Sequence, residues 1–228
     1  MDQNFIKIKK INEQLAAIAQ QYKNDFFITS TIEPWVNAAI ASGTFAGAAG
    51  TAKHPGVVTL LSSTSANSGH RVNLYAEAFL LGGGEKTTGI FKVVTCAGTT
   101  VRFGFHDTTS EADVNDGVYI EIAETTLTGK TANAGTRSTT ATNYTITENT
   151  WYRFVIEVNS DATLITYSIY ADDSGTALWI DTLATNIPTG ANRYCGQGIV
   201  ATNSGTTALS LVSLDYMDIA LQNARRLS

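Results

Sequence analysis

The chain has 228 residues and a net charge of −5 at neutral pH; 15% of its residues are charged and 43% hydrophobic, and it holds 33 threonines and 19 glycines. That length suits one large domain with an appendage rather than two full domains, and the low charge together with nine Phe and nine Tyr excludes a disordered chain. No apolar run approaches the roughly 18 residues of a membrane helix, and residues 31–220 hold seventeen acids against nine Lys or Arg, which disfavours nucleic acid as a partner.

The opening Met1-Asp2-Gln3-Asn4 lacks the basic stretch and apolar core of a secretory signal, so synthesis in the cytoplasm is expected. Ile8, Ile11, Leu15, Ile18 and Tyr22 are spaced 3, 4, 3, 4, which predicts an amphipathic helix within residues 1–25. A helix this short is marginal alone, so its stripe must be covered by a second copy or by a host surface. Isoleucine at both seam positions favours three strands over two, and a homotrimer is the expected state.

From Asn24 onward the period changes to two. Val72, Leu74, Ala76, Ala78 and Leu80 alternate with Arg71, Asn73, Tyr75 and Glu77; Val101, Phe103 and Phe105 follow, then Val118, Ile120 and Ile122. The clearest strand is Trp151 to Asn159, which a short polar break joins to Ile165, Tyr167 and Ile169 as an antiparallel hairpin. Glycines at 82–84, 98, 117, 129, 135, 190 and 205 read as punctuation. Residues 125–147, rich in Thr, Ala, Asn and Gly, are expected to form a long exposed loop or a weakly patterned hairpin, and 38–50 a small-residue loop or neck. The last strand, Leu209 to Leu221, has apolar residues in both phases, which predicts either a bulge or a strand covered on both faces, lying mid-sheet. Many short strands without helical patterns between them indicate an all-β sandwich or barrel rather than an α/β fold, taken to span residues 26–221 with 222–228 as a tail.

Five segments in this order resemble the concanavalin A-like jelly-roll sandwiches of bacteriophage virion proteins: Gly56 to Ser62, Asn115 to Glu121, Asn149 to Asn159, Asn186 to Gly190, and Leu214 to Met217. The resemblance covers roughly residues 26–221 and leaves the N-terminal helix outside it. It implies a non-enzymatic structural component of a phage particle (capsid decoration, head fibre, tail fibre or baseplate) that is attached through the helix. Itself and other virion proteins would be its partners. The alternative is a host-recognition module that binds cell-surface polysaccharide, and the third reading is a polysaccharide-degrading glycosidase.

The chemistry visible in the residues favours adhesion. Retaining glycosidases need two carboxylates ~5–5.5 Å apart; Glu121 is the best acid, but Glu124, three positions on, falls on the other strand face. His54, His70 and His106 lie in separate segments, and His106-Asp107 has no accompanying serine motif. Asp113-Val114-Asn115-Asp116-Gly117 has oxygen ligands but not the spacing of a calcium loop, and Gly82-Gly83-Gly84-Glu85-Lys86 fails the phosphate-loop spacing. Neither a catalytic group nor a metal or cofactor is therefore expected. Trp179, Tyr119 and Tyr75 are the candidates for stacking on a sugar ring, with Trp35 and Trp151 behind them. Cys96 and Cys195, about a hundred residues apart, read as buried, reduced thiols, with a single disulfide between them as the alternative.

Overall fold

The computed structural model describes residues 20–24 and 35–221, and these build two stacked antiparallel sheets. The first holds β1 (Gln20–Asn24), β3 (Thr44–Ala48), β4 (Val57–Leu61), β6 (Glu85–Val93), β12 (Trp151–Val158), β13 (Ile165–Ala171), β14 (Ala177–Leu183) and β16 (Ser210–Leu221). Its order is β14-β13-β12-β6-β16-β4-β3, with β1 beside β16. The second holds β2 (Val36–Ile40), β5 (Ser68–Leu80), β7 (Thr99–His106), β8 (Gly117–Ala123), β9 (Thr126–Asn133), β10 (Thr136–Thr139), β11 (Tyr144–Thr145) and β15 (Tyr194–Asn203), in the order β10-β9-β8-β7-β15-β5-β2 with β11 beside β9. Of the sandwich and barrel that the alternation allows, this is the sandwich, as the family resemblance implies.

The core is the inner phase of each strand. Tyr152, Phe154, Ile156 and Val158 of β12 are buried against Val101, Phe103 and Phe105 of β7 and Val118, Ile120 and Ile122 of β8. Phe91 of β6 bridges the layers, its ring 4.6 Å from that of Phe103. Each such side chain contributes about 1.5–3 kcal/mol by leaving water. Polar ties also cross the core: Trp35 Nε1 donates to Gln197 Oε1 at 3.0 Å, Gln197 Nε2 donates to Thr87 Oγ1 at 2.8 Å, and the Tyr167 hydroxyl donates to the Lys130 carbonyl at 2.7 Å.

Several expectations are met in detail. The β12–β13 hairpin pairs Phe154 with Ile169. β16 lies inside its sheet, and its register shifts at Ser210/Val212 and Leu214/Tyr216, which is how apolar residues occupy both phases. Residues 125–147 form the weak hairpin β9–β10, turned by Ala134 and Gly135, both at positive φ. Residues 36–48 depart from the loop reading: β2 and β3 are strands of opposite sheets, and the chain crosses between the layers there.

The N-terminal helix needs correction at its end. Tyr22 lies on β1 and pairs with Ile219. The reason is tertiary: β4 pairs with the first half of β16, which leaves the backbone of 217–221 open on that side, and β1 fills it. Such pairing overrides local periodicity. Ile8, Ile11, Leu15 and Ile18 lie outside the described residues.

Two strand glycines are explained by close approach rather than by turns. A Cβ on Gly129 would sit 2.5 Å from the Tyr167 ring, and one on Gly89 would sit 2.4 Å from the Phe154 ring. Gly129 is thus not a break between strands but the seat of an aromatic side chain in the middle of β9.

Candidate functional site

Register places the chemistry. On β5, Arg71 and Asn73 point away from the core, because Val72 and Leu74 point into it. Arg71 pairs with Val200, Val200 with Arg102, and Arg102 with Glu121. Directly opposed residues share a sheet face, so these form one rung across the outer face of the second sheet. The adjacent rung runs Asn73, Gly198, Gly104, Tyr119 and Lys130. On the next, His106 opposes Gly196 and Gly117. Three glycines thus leave a floor without side chains between Asn73 and His106.

Residues 107–116 fold back over part of this face as a roof. Arg71 Nη1 donates to the Thr109 carbonyl at 3.0 Å, and Arg102 Nη1 donates to the Glu111 and Ala112 carbonyls at 3.2 and 3.4 Å. Val114 packs with Tyr119 and Ala132 beneath it. Most charge here is matched. Glu121 receives Arg102 Nε at 2.9 Å and the Lys130 ammonium, while Asp113 receives Arg137 Nε at 3.0 Å and lies 3.6 Å from Arg102 Nη2.

Three polar atoms on the same face are not matched. His106 Nε2, Asn73 Oδ1 and Arg71 Nε are buried without a hydrogen-bond partner. Buried polar groups nearly always have partners, so each of these atoms on the outer face marks a point where water or a ligand's polar group completes it. The His106 ring gives Nδ1 to the Thr108 carbonyl at 3.2 Å; burial, then the Arg102 charge, pushes its pKa down to about 4, so the ring is neutral at pH 7. A neutral imidazole, an amide and a guanidinium above a glycine floor suit a polyhydroxylated ligand. They do not form a nucleophile–base pair.

The aromatic candidates are placed differently from the expectation. Tyr119 is fully buried under the roof, and its hydroxyl donates to Asp113 Oδ1 at 3.4 Å. Trp179 is 8% exposed and donates Nε1 to Thr142 Oγ1 at 2.9 Å, because the segment after β10 closes over it. Neither ring face is open to stack on a sugar. Tyr75 lies on β5 beyond Asn73, and its side chain is outside the described ones. Trp35 is in the core, and Trp151 has His54 stacked on it at 4.2 Å and the Lys92 ammonium 5.1 Å from its ring centre.

That histidine belongs to a second cluster. His54 Nδ1 lies 3.0 Å from Asp215 Oδ2 and Nε2 lies 3.3 Å from Asp172 Oδ2, and Lys53 binds both Asp172 and Asp173. With both ring nitrogens engaged, this cluster is a clasp joining the 50–55 segment to the β13–β14 turn and to β16. Among the described residues no group of three or more His, Cys, Asp or Glu is arranged to hold a metal ion.

The residues that sequence reasoning missed are Arg71, Asn73 and Gly198. Their phase on the wet side of a strand was readable. Their convergence was not, since it depends on β5 and β15 pairing across more than a hundred residues.

Comparison with known proteins agrees with the architecture. The structure resembles that of a protein of unknown function, SO2946 from Shewanella oneidensis MR-1, at 18% identity over 96% of both chains, with a TM-score of 0.76. It also resembles the CBM2 module of the evolved Dit protein of Lactobacillus casei BL23 phage J-1 (11% identity, 90% of this chain and 98% of that one, TM-score 0.60). The carbohydrate recognition domain of Emp47p is similar too, at 12% identity over 88% of this chain and 95% of that one, with a TM-score of 0.60. No curated protein matches the sequence. These likenesses establish a lectin-type jelly-roll sandwich. Residues 53–215 match the family model described as "SO2946-like, C-terminal domain", and the chain belongs to that family.

Proposed function

We propose that this chain is a non-catalytic carbohydrate-recognition module carried on the surface of a phage particle. The observation that carries the reading is the set of open polar atoms of Arg71, Asn73 and His106 on the outer face of the second sheet. Sugar hydroxyls supply both donors and acceptors and would complete that set, while the glycine floor lets a ring approach the backbone. The phage Dit module and the Emp47p domain support the class of ligand, and the former supports the setting. A non-enzymatic role is supported by Glu121, which Arg102 and Lys130 hold as a counter-ion.

Glycan-array and calorimetric titration of the whole chain test this. Binding to at least one polysaccharide is expected, and Asn73→Ala should weaken it at least tenfold with the far-ultraviolet circular dichroism unchanged. Silence across the array, or binding indifferent to Asn73→Ala, would defeat the proposal. Sugar release that Glu121→Gln abolishes would overturn the non-enzymatic reading. Attachment is assigned to residues before β1, whose spacing predicts a self-associating helix. Deleting 1–19 leaves β1 in place, and it should lower the mass seen by light scattering from trimer to monomer and remove the protein from particles; unchanged mass and incorporation would refute that assignment.

A further inference from the structure

Resting on the carbohydrate reading, we propose that the outer-face site selects anionic glycans, with the Arg71 guanidinium gripping the acidic group. The cations of this face differ in how far their charge is matched. Arg102 lies against Glu121 and Asp113, Lys130 against Glu121, and Arg137 against Asp113. Arg71 forms no ion pair with a described carboxylate; its guanidinium is held by one neutral acceptor, the Thr109 carbonyl.

Its geometry is informative as well. The bond to Thr109 uses Nη1 and fixes the plane of the group, while Nε is buried and open. Nε and the neighbouring terminal nitrogen form one edge of a rigid fork whose spacing matches two oxygens of a carboxylate or a phosphate. Beside it, on the next rung, stands the Asn73 amide above Gly198. An acidic group on the fork thus brings the hydroxyls of the same residue, or of the next one in a polymer, over the glycine floor. Half-buried Arg71 lies at the rim of the roof while Asn73 and His106 are almost fully enclosed. The ligand's acid therefore sits at the mouth and its hydroxyls deeper.

Long-range charge works against this recognition. Residues 31–220 carry a net charge of −8, so a polyanion approaches against repulsion. Selectivity then comes from one oriented contact and not from a basic surface, and the two have opposite salt dependence. Binding through counterion release weakens steeply as salt rises. Binding through a single fork on an acidic body changes little or improves, because salt screens the repulsion.

The experiment titrates the whole chain with polygalacturonate, its fully methyl-esterified form, poly(glycerol phosphate) and dextran at low and moderate salt. At least tenfold tighter binding of polygalacturonate or poly(glycerol phosphate) than of the ester and dextran is expected, and whichever anion binds better identifies the acid as carboxylate or phosphate. Arg71→Lys keeps the charge and loses the fork, and should erase at least most of that preference. The ester comparison needs only the unaltered protein, so it decides the matter even if the variant fails to fold. Equal binding of the acidic and esterified polymers overturns anion selectivity and leaves the carbohydrate reading standing, and failure to bind any polysaccharide overturns both. Retained preference in a folded Arg71→Lys, or affinity that collapses with salt, overturns the assignment to Arg71.

Discussion

Replacing Glu121 by Gln separates a structural carboxylate from a catalytic one. The side chains of Glu121, Arg102 and Lys130 are only 11%, 9% and 19% exposed, so solvent screens their interactions weakly. The network holds three cations, Arg102, Lys130 and Arg137, against two anions, Glu121 and Asp113. The substitution therefore raises its net charge from +1 to +2 and leaves the Lys130 ammonium without a carboxylate partner. The amide has one acceptor, so one charge-assisted hydrogen bond becomes an ordinary one at about 1 kcal/mol, the other is lost against the amide nitrogen at a similar cost, and the uncompensated partly buried ammonium adds about as much again. A loss of about 2–4 kcal/mol follows, read from urea denaturation at pH 7 as a lower midpoint with an unchanged slope. In a domain of this size that lowers the melting temperature by roughly 5–15 °C. A loss below about 0.5 kcal/mol, the range of surface changes, would show that Glu121 is not the counter-ion the geometry makes it.

Other perturbations read other parts of the fold. Because burial holds the folded-state pKa of His106 down to about 4 while the unfolded ring titrates near 6.5, the unfolded chain binds the extra proton. Stability from this group is fully present above pH 6.5 and is lost as pH falls toward 4, by an amount of order 3 kcal/mol; His106→Gln should flatten that part of the pH–stability curve, and an unchanged curve would refute the assignment. Gly129→Ala should destabilise by about 1–3 kcal/mol through overlap with the Tyr167 ring, with Tyr167→Leu in the same chain recovering part of the loss; a neutral Gly129→Ala would show that the ring can move. Cys96 and Cys195 are free and buried, and burial raises both thiol pKa values, Cys96 to about 11 and Cys195 higher still. Neither should react with a thiol reagent in the native state at pH 8, both should react in denaturant, and a reductant should leave the melting temperature unchanged.

What the sequence made legible was whatever depends on neighbours along the chain. Alternation in 151–158 marks an inner phase of Tyr152, Phe154, Ile156 and Val158, and these are the residues that pack. The doubled phase of 209–221 marks a strand with bulges and two partners. What it hid depends on pairing between distant segments. Tyr22 fits a helical stripe as well as a strand, and only the open flank of β16 decides between them. Trp179 reads as a ring available to stack on a sugar until Thr142 is brought against it. Gly129 reads as a break between strands, yet it lies within β9 where the Tyr167 ring needs the space. The outer-face site combines these cases, since the phase of Arg71 and Asn73 is local but the glycine floor beside them is set by register.

Keeping that site is costly to the fold, and the cost can be measured. A buried polar atom without a partner costs about 1–3 kcal/mol, so three on one sheet face consume a sizeable part of the 5–15 kcal/mol typical of a domain. An apolar group of similar volume at Asn73 would remove one such atom while keeping the contact with Gly198. Asn73→Leu is therefore expected to raise stability by about 1 kcal/mol in urea denaturation while weakening glycan binding at least tenfold. Opposed signs of that kind belong to a group held for a ligand. If instead ordered water already completes the amide, the same substitution removes a satisfied hydrogen bond and lowers stability. A loss of stability together with unchanged binding would place Asn73 in the architecture and would take from the site the group that best distinguishes it from the rest of the sheet.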